Sequence, residues 1–300
     1  MDLVKKYLNQ ISIFNLKELK LINYNYNLCK DNLIGKVEYK NGKWVLIEDY
    51  VLKEDRIKNK DNISISTNKI NKRIIIVLES PHKNEYSKEL IAPAMGMTGK
   101  KIKFLFLNIL NDKLKTNIKE NEVYDLIIMN AIQYQASLGL NTKIFRDRIW
   151  LNIWIDGKGR ENFIDRIKAY NPDIIFNFCT KGNHELDTLC ILSDSYSRIN
   201  LENIRYKFIK DLCLGINQNK DGKLIYKQKV ICNPSNLNKN KNLDVYKYPL
   251  QKFVDNSIEE YLANINRNGK IIFVGPHPSS WKIKKDKSNL SELLKEIKKL

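Results

Sequence analysis

The spacing of apolar and polar positions changes character near residue 70. Before it, Leu3 to Ile11 and Leu16 to Ile22 predict two short helices. Gly35 to Lys40 and Lys43 to Glu48 flank Asn41-Gly42 and predict a hairpin with a two-residue turn. Lys53 to Lys72 is polar and rich in Lys, Asn and Ser, the composition of a linker. From Arg73 onward strands alternate with helices. Ile74 to Leu78 is a continuous, mostly β-branched run, typical of a strand covered on both faces. Lys100 to Leu114 is helical, Tyr124 to Met129 a second strand, and Glu161 to Tyr170 a helix closed by Asn171-Pro172. Asp173 to Cys179 is a third strand, helices follow within 183–213, and Lys227 to Cys232 is a fourth strand. Leu250 to Ile265 is an amphipathic helix, Lys270 to Val274 a fifth strand, and Leu290 to Leu300 a final helix.

This alternation predicts an α/β fold: a three-layer α/β/α sandwich with a mostly parallel central sheet over residues 71–300. Residues 1–70 form a small N-terminal α+β extension. In such sheets the site lies beyond the C-terminal ends of the strands.

Composition adds a partner to this picture. The chain has 300 residues, 43% of them hydrophobic, enough for a sizeable core. Its net charge of +18 favours a polyanion such as nucleic acid. Lys, Asn and Ile are abundant throughout, so part of that charge is compositional. No apolar run approaches the roughly 20 residues of a membrane span, and the N-terminus lacks a signal-peptide core, which points to a cytoplasmic protein. Cys29, Cys179, Cys190, Cys213 and Cys232 form no C-x-x-C pair and none lies at zinc spacing from a histidine. No metal, cluster or other cofactor is expected.

The candidate chemistry sits at the strand ends. The first strand runs into Glu79-Ser80-Pro81-His82, the second into Asn130, and the fifth into Gly275-Pro276-His277-Pro278-Ser279-Ser280-Trp281. Two of the three histidines therefore lie beside prolines at strand ends. Each alone is an ordinary loop residue; together with a carboxylate and an amide they form a coherent polar cluster if the strands are neighbours.

These residues resemble the motifs of the uracil-DNA glycosylase superfamily. Leu78-Glu79-Ser80-Pro81-His82-Lys83-Asn84-Glu85 is similar to the first motif of its G-E-A-P-G-x-x-E branch, matching at Glu79, Pro81 and Glu85. Pro93-Ala94-Met95-Gly96-Met97-Thr98-Gly99 resembles that branch's P-F-V-G-x-A-G. Asn130 fits the base-reading asparagine, and His277-Pro278-Ser279 the late H-P-S motif. A rival for the late motif is Asn233-Pro234-Ser235, with Asn in place of His.

The resemblance spans about residues 73–300 and implies an enzyme that flips a DNA base and hydrolyses its N-glycosidic bond. Glu79 would orient water and stabilise the sugar cation. His277 would stabilise the departing base. Asn130 would read the base edge, with Ser80, Pro81, His82 and Ala94 lining its pocket. Gly96 and Gly99 would admit phosphate to backbone N–H groups, Lys100 and Lys101 would add charge, and Ser279, Ser280 and Trp281 would meet DNA, Trp281 as a wedge. Three departures matter. The branch's cluster cysteines are missing, its stacking phenylalanine is Ala94, and His82 stands near the base's edge. A bulkier base than uracil follows as an expectation, for instance a modified cytosine in phage DNA. Competing readings are a non-catalytic DNA-binding module and another nucleic-acid hydrolase, either a nuclease or a nucleoside hydrolase.

Overall fold

The computed structural model describes residues 27–59, 61, 64–66, 71–115, 118–136, 146, 150, 153–154, 158–182, 216–218, 224–226, 250–265, 269–282 and 287–300. Within them lies a mixed sheet built from β1 (Asn32–Lys40), β2 (Lys43–Asp49), β3 (Lys72–Leu78), β4 (Glu122–Asn130), β5 (Ile174–Asn177), β8 (Ile271–Val274) and β9 (Lys298–Lys299). The order is β2-β1-β4-β3-β5-β8-β9. β4, β3, β5 and β8 are mutually parallel, and the flanking strands β1, β2 and β9 pair antiparallel with their neighbours. A separate antiparallel pair joins β6 (Ile216–Gln218) and β7 (Leu224–Tyr226). The protein is thus α/β, with a sheet that is parallel in its centre.

β3 shows why the continuous apolar run forms a central strand. Ile74, Ile76 and Leu78 bury in one cluster with Ile102, Phe106 and Leu110 of helix α2 (Met97–Lys113). Ile75 and Val77 point to the opposite face and are equally buried. Phe163 and Ile167 of α3 (Gly159–Tyr170) and Val254 and Ile258 of α4 (Leu250–Asn264) are buried as well, and α4 packs on α3 and β5. The chain passes from β3 to β4 on one side and returns to β5 on the other. The order therefore reverses beside β3, the position at which such sheets open a ligand crevice.

Three expectations change. The hairpin assigned to the N-terminal extension is part of the central sheet, with β1 paired to β4. A lone two-stranded hairpin is marginal, and Ile34 and Val37 join the core that holds Leu126 and Ile128. The linker contains a helix, α1 (Lys53–Lys58), whose Arg56 is buried. The last helix, α5 (Lys287–Glu296), stops early, and β9 pairs with β8 and covers its edge. The helices at 3–11, 16–22 and within 183–213, and the strand at 227–232, lie outside the described residues. Among the described residues no helix is long and apolar enough to cross a membrane.

Candidate active site

Each of the four parallel strands leads to a polar side chain. Glu79 follows β3, Asn130 ends β4, Asn177 ends β5, and His277 stands three residues beyond β8. The parallel register sets Leu78 opposite Asn130, so Glu79 and Asn130 emerge side by side. The backbone of Glu79 is clamped: its carbonyl accepts hydrogen bonds from the Trp150 indole at 2.8 Å and the Ile132 amide at 3.2 Å. Its buried carboxylate faces two nitrogen-bearing side chains. Oε1 lies 3.7 Å from Arg146 Nη1, and Oε2 lies 3.1 Å from His277 Nε2.

The tautomer of His277 follows from its other nitrogen. Nδ1 accepts the Ser279 amide hydrogen at 3.1 Å, so the neutral ring carries its proton on Nε2, facing Glu79. Burial pushes the Glu79 carboxyl up, but His277 and then Arg146 outweigh it and hold the group at about 2. Glu79 is an ionised carboxylate backed by an imidazole.

A second carboxyl behaves in the opposite way. Glu85 ends a 3-10 turn, Lys83–Glu85, and its amide donates to the His82 carbonyl at 2.8 Å. Burial pushes its carboxyl up to about 8; the Ala94 amide, Arg56 and the Asn130 side chain offset this only in part, and the charge of Glu79 adds to it. Two neighbouring carboxyls driven apart in this way are the arrangement that separates a base from an acid. Asn130 is fully buried, with Nδ2 3.8 Å from Cys29 Sγ.

Buried polar atoms without hydrogen-bond partners gather here. Ser80 Oγ, Glu85 Oε2 and Asn130 Oδ1 have none, and Glu79 Oε2 has its ion-pair contact but no aligned hydrogen bond. Such atoms are rare in folded proteins, and a group of them leaves hydrogen-bonding capacity for water or a ligand. The arrangement offers a carboxylate that can accept a proton from water, a neutral acid that can donate one, and an amide with a free acceptor.

The remaining candidates separate into site, support and core. Ser80 and Pro81 are buried beside Glu79. His82 is exposed, and its Nδ1 accepts the Asn84 amide at 3.3 Å, capping the 3-10 turn. Ala94 is buried with φ of 56°, a backbone region sparsely used by residues with a side chain. Gly99 has a packing reason: a Cβ there would lie 2.1 Å from the Ala94 carbonyl oxygen. Gly96 has open space around it. Lys100 is exposed, whereas the Lys101 ammonium donates to the Ser279 carbonyl and ties α2 to the H-P-S turn. Ser279 and Ser280 are exposed. Asn233 and Ser235 lie outside the described residues.

Trp281 is corrected from wedge to core. It is 2% exposed, its indole donates to the Pro276 carbonyl at 2.9 Å, and it meets the Phe178 ring edge-on at 5.1 Å. Trp281→Ala is therefore expected to remove about 3–5 kcal/mol of stability, read as a fall in melting temperature. A variant that melts normally but binds DNA poorly would contradict this placement.

Support comes from residues that the linear pattern does not single out. Arg56 donates to the Val51 carbonyl at 2.8 Å and to the Pro93 carbonyl, fixing the loop that carries Ala94. Arg166 Nη1 donates to both carboxylate oxygens of Asp31, at 2.8 and 2.9 Å, and Nη2 donates to the Asn130 and Ala131 carbonyls. Asn177 donates to Asp255 at 2.7 Å, and Gln251 donates to the Gly275 carbonyl at 2.7 Å. Gln251 also donates to the Asn177 carbonyl at 3.3 Å, so it links the ends of β5 and β8 and positions the His277 turn. Their only signal in the sequence is polarity at a strand end or helix position.

A cleft of about 1020 Å³ opens between Asp31, Tyr86, Leu90, Gln133, Arg166 and Tyr170, beside the 86–91 loop and not on Glu79. Among the described residues no group of three or more His, Cys, Asp and Glu side chains could hold a metal ion. Fold and site together define an α/β protein with a carboxylate–imidazole pair and a neutral carboxyl at the C-terminal ends of its parallel strands. No family model matches the chain, and no curated protein or solved structure matches it.

Proposed function

We propose that this protein is a DNA glycosylase, a divergent relative of the uracil-DNA glycosylase superfamily on a three-layer α/β/α sandwich. The observation that carries the reading is the pairing of ionised Glu79 with His277 beside the neutral carboxyl of Glu85. In the proposed reaction the bond between the sugar C1′ and the base nitrogen breaks, and its electron pair leaves with the base. Glu79 orients a water and takes its proton as the oxygen bonds to C1′. Glu85 donates its proton toward the departing base, and Asn130 contacts the base edge through its unpaired Oδ1. This transfers the leaving-group role that the resemblance gives His277, because its Nε2 faces Glu79.

Glu79, Ser80, Glu85 and Asn130 are all buried, so a flipped base enters by displacing a cover. The 86–91 loop suits that part: it closes through the Tyr86–Ile91 bridge and the hydrogen bond from the Ala92 amide to the Glu85 carbonyl, 3.1 Å. Ala94 supplies a methyl group where the resembling branch has a stacking ring, which supports a base larger than uracil.

The test is incubation with DNAs carrying uracil, hypermodified cytosines and unmodified bases, followed by alkaline cleavage at abasic sites. Release from at least one modified DNA is expected. A strong preference for plain uracil would sink the larger-base reading, and no release from any DNA would sink the glycosylase reading.

A further inference from the structure

We infer that the cleft beside the 86–91 loop is a nucleotide-binding site, separate from the Glu79 cluster and independent of the base-release reading above.

The cleft, about 1020 Å³, is at the upper end of the volumes that small-molecule sites occupy. One face of α3 lines it, through Asn162, Arg166 and Tyr170 at intervals of four residues. Asp31 and Asn32, at the start of β1, are its buried residues. The cleft leads away from the strand ends that carry Glu79 and His277. α3 runs back toward the start of β5, and the Tyr170 carbonyl accepts a hydrogen bond from Arg73, near the start of β3, at 2.8 Å.

Most of its buried polar groups are already satisfied. The Asp31 carboxylate accepts from Arg166 Nη1 at 2.8 and 2.9 Å, from the Tyr170 hydroxyl at 3.0 Å and from Gln133 Nε2 at 3.2 Å. These four donors fill the roughly four acceptor positions of a carboxylate. Asn32 differs. It is 7% exposed, its Nδ2 donates to the Asp31 carbonyl at 3.0 Å, and its Oδ1 has no hydrogen-bond partner. A buried acceptor left open in this way suits a ligand that brings an N–H or O–H.

Charge and shape choose the ligand. The lining carries Lys30, Lys88 and Arg166 against Asp31 and Glu89. Arg166 pairs with Asp31, and Glu89 lies 3.9 Å from Lys53, which is outside the lining. Lys30 and Lys88 are exposed and form no ion pair among the described residues, so the cleft favours an anionic group. Tyr86 and Tyr170, both partly exposed, add aromatic surface on which a planar ring can stack. A planar ring that donates an N–H and carries an anion is a nucleotide: every DNA base offers an amino or ring N–H, and the phosphate supplies the charge. Arg166 joins this site to the strand ends, because Nη2 holds the Asn130 and Ala131 carbonyls at 3.0 and 2.9 Å.

The test is calorimetric titration with deoxyadenosine monophosphate, with 2-deoxyribose 5-phosphate and with a short single strand of unmodified DNA. Lys30→Glu/Lys88→Glu is expected to lower affinity at least about tenfold, and the exposed control pair Lys58→Glu/Lys295→Glu less than about threefold. A loss seen with the monophosphate identifies a free nucleotide as the ligand. A loss seen with the strand alone identifies a nucleotide within DNA, and either result supports the inference. Where the monophosphate binds, the sugar phosphate should bind at least about tenfold more weakly, and Asn32→Ala should narrow that gap. Glu79→Gln should leave every affinity unchanged. If Asn32→Ala does not fold, the lysine pair decides. Four results overturn the inference: no binding of monophosphate or strand, a loss shared equally by the control pair, a loss produced by Glu79→Gln, or equal affinity for monophosphate and sugar phosphate. Binding is read without turnover, so a protein that releases no base still decides the matter.

Discussion

Glu79→Gln is expected to lower base release by about 10³-fold while DNA binding persists. The amide keeps the shape of the carboxyl but has no negative charge for the sugar cation and no basic oxygen for the proton of water. The loss falls on the chemical step, so single-turnover rates drop and the dissociation constant for target DNA moves little. Stability changes too, in a direction set by the pairing with His277. Because the Glu79 carboxyl sits at about 2 and not at its ordinary 4.5, its ionised form stabilises the fold above 4.5, and that contribution is lost as pH falls through about 2. Removing the charge also removes the anionic group that His277 and Arg146 face. The variant should therefore melt lower than wild type near neutral pH, and its activity must be measured well below its melting temperature. A folded Glu79→Gln protein that releases base at the wild-type rate would remove Glu79 from the chemistry.

The parallel core was legible because burial on two faces leaves a strong mark. Ile74 to Leu78, Leu126 to Met129 and Ile271 to Val274 each stand out as unbroken apolar runs, and they lie in β3, β4 and β8. Strand ends then narrow the search for chemistry, which is why Glu79, Asn130 and His277 were accessible as candidates. Antiparallel flanking strands leave a weaker mark. β1 carries the hairpin signal, but nothing in residues 32–40 says that its free side docks on β4, because that choice depends on a partner about ninety residues away. The same limit hid Arg56 and Asn177. An arginine in a lysine-rich stretch looks solvated until the nearby Val51 carbonyl and the distant Pro93 and Ala94 carbonyls converge on it. Trp281 failed for the opposite reason: an aromatic in a polar loop suggests exposure, yet Phe178 from the neighbouring strand end gives it a place in the core. The role of Glu85 was legible as a motif match but not as chemistry. Its state depends on burial against Asn130 and Ala94, which only the fold creates.

Base release is expected to fall about tenfold per pH unit above 8, and Glu85→Gln to remove that limb. The acid form of Glu85 is the proposed donor, and it disappears as pH rises through its value of about 8. Glutamine donates a hydrogen bond but has no proton to transfer, so the variant should be slower by about 10²-fold below pH 8, with a flat profile above it. Stability supplies a readout independent of turnover. The folded-state value of about 8 lies above the ordinary 4.5, so stability from this group is full below 4.5 and declines as pH rises through 8. The difference amounts to at most about 4–5 kcal/mol, reached once the buried group is charged. Glu85→Gln carries no such charge. Its melting temperature should therefore gain on that of wild type as pH increases from about 5 to about 9. Parallel melting curves for the two proteins across that range would mean that Glu85 is not a neutral buried acid, and its place as proton donor would go with them. A flat stability difference combined with a retained alkaline limb in activity would shift the limb to another group at the strand ends. His82 would not be that group: the partial desolvation of its ring and the charge of Lys83 push its pKa down, away from the alkaline range.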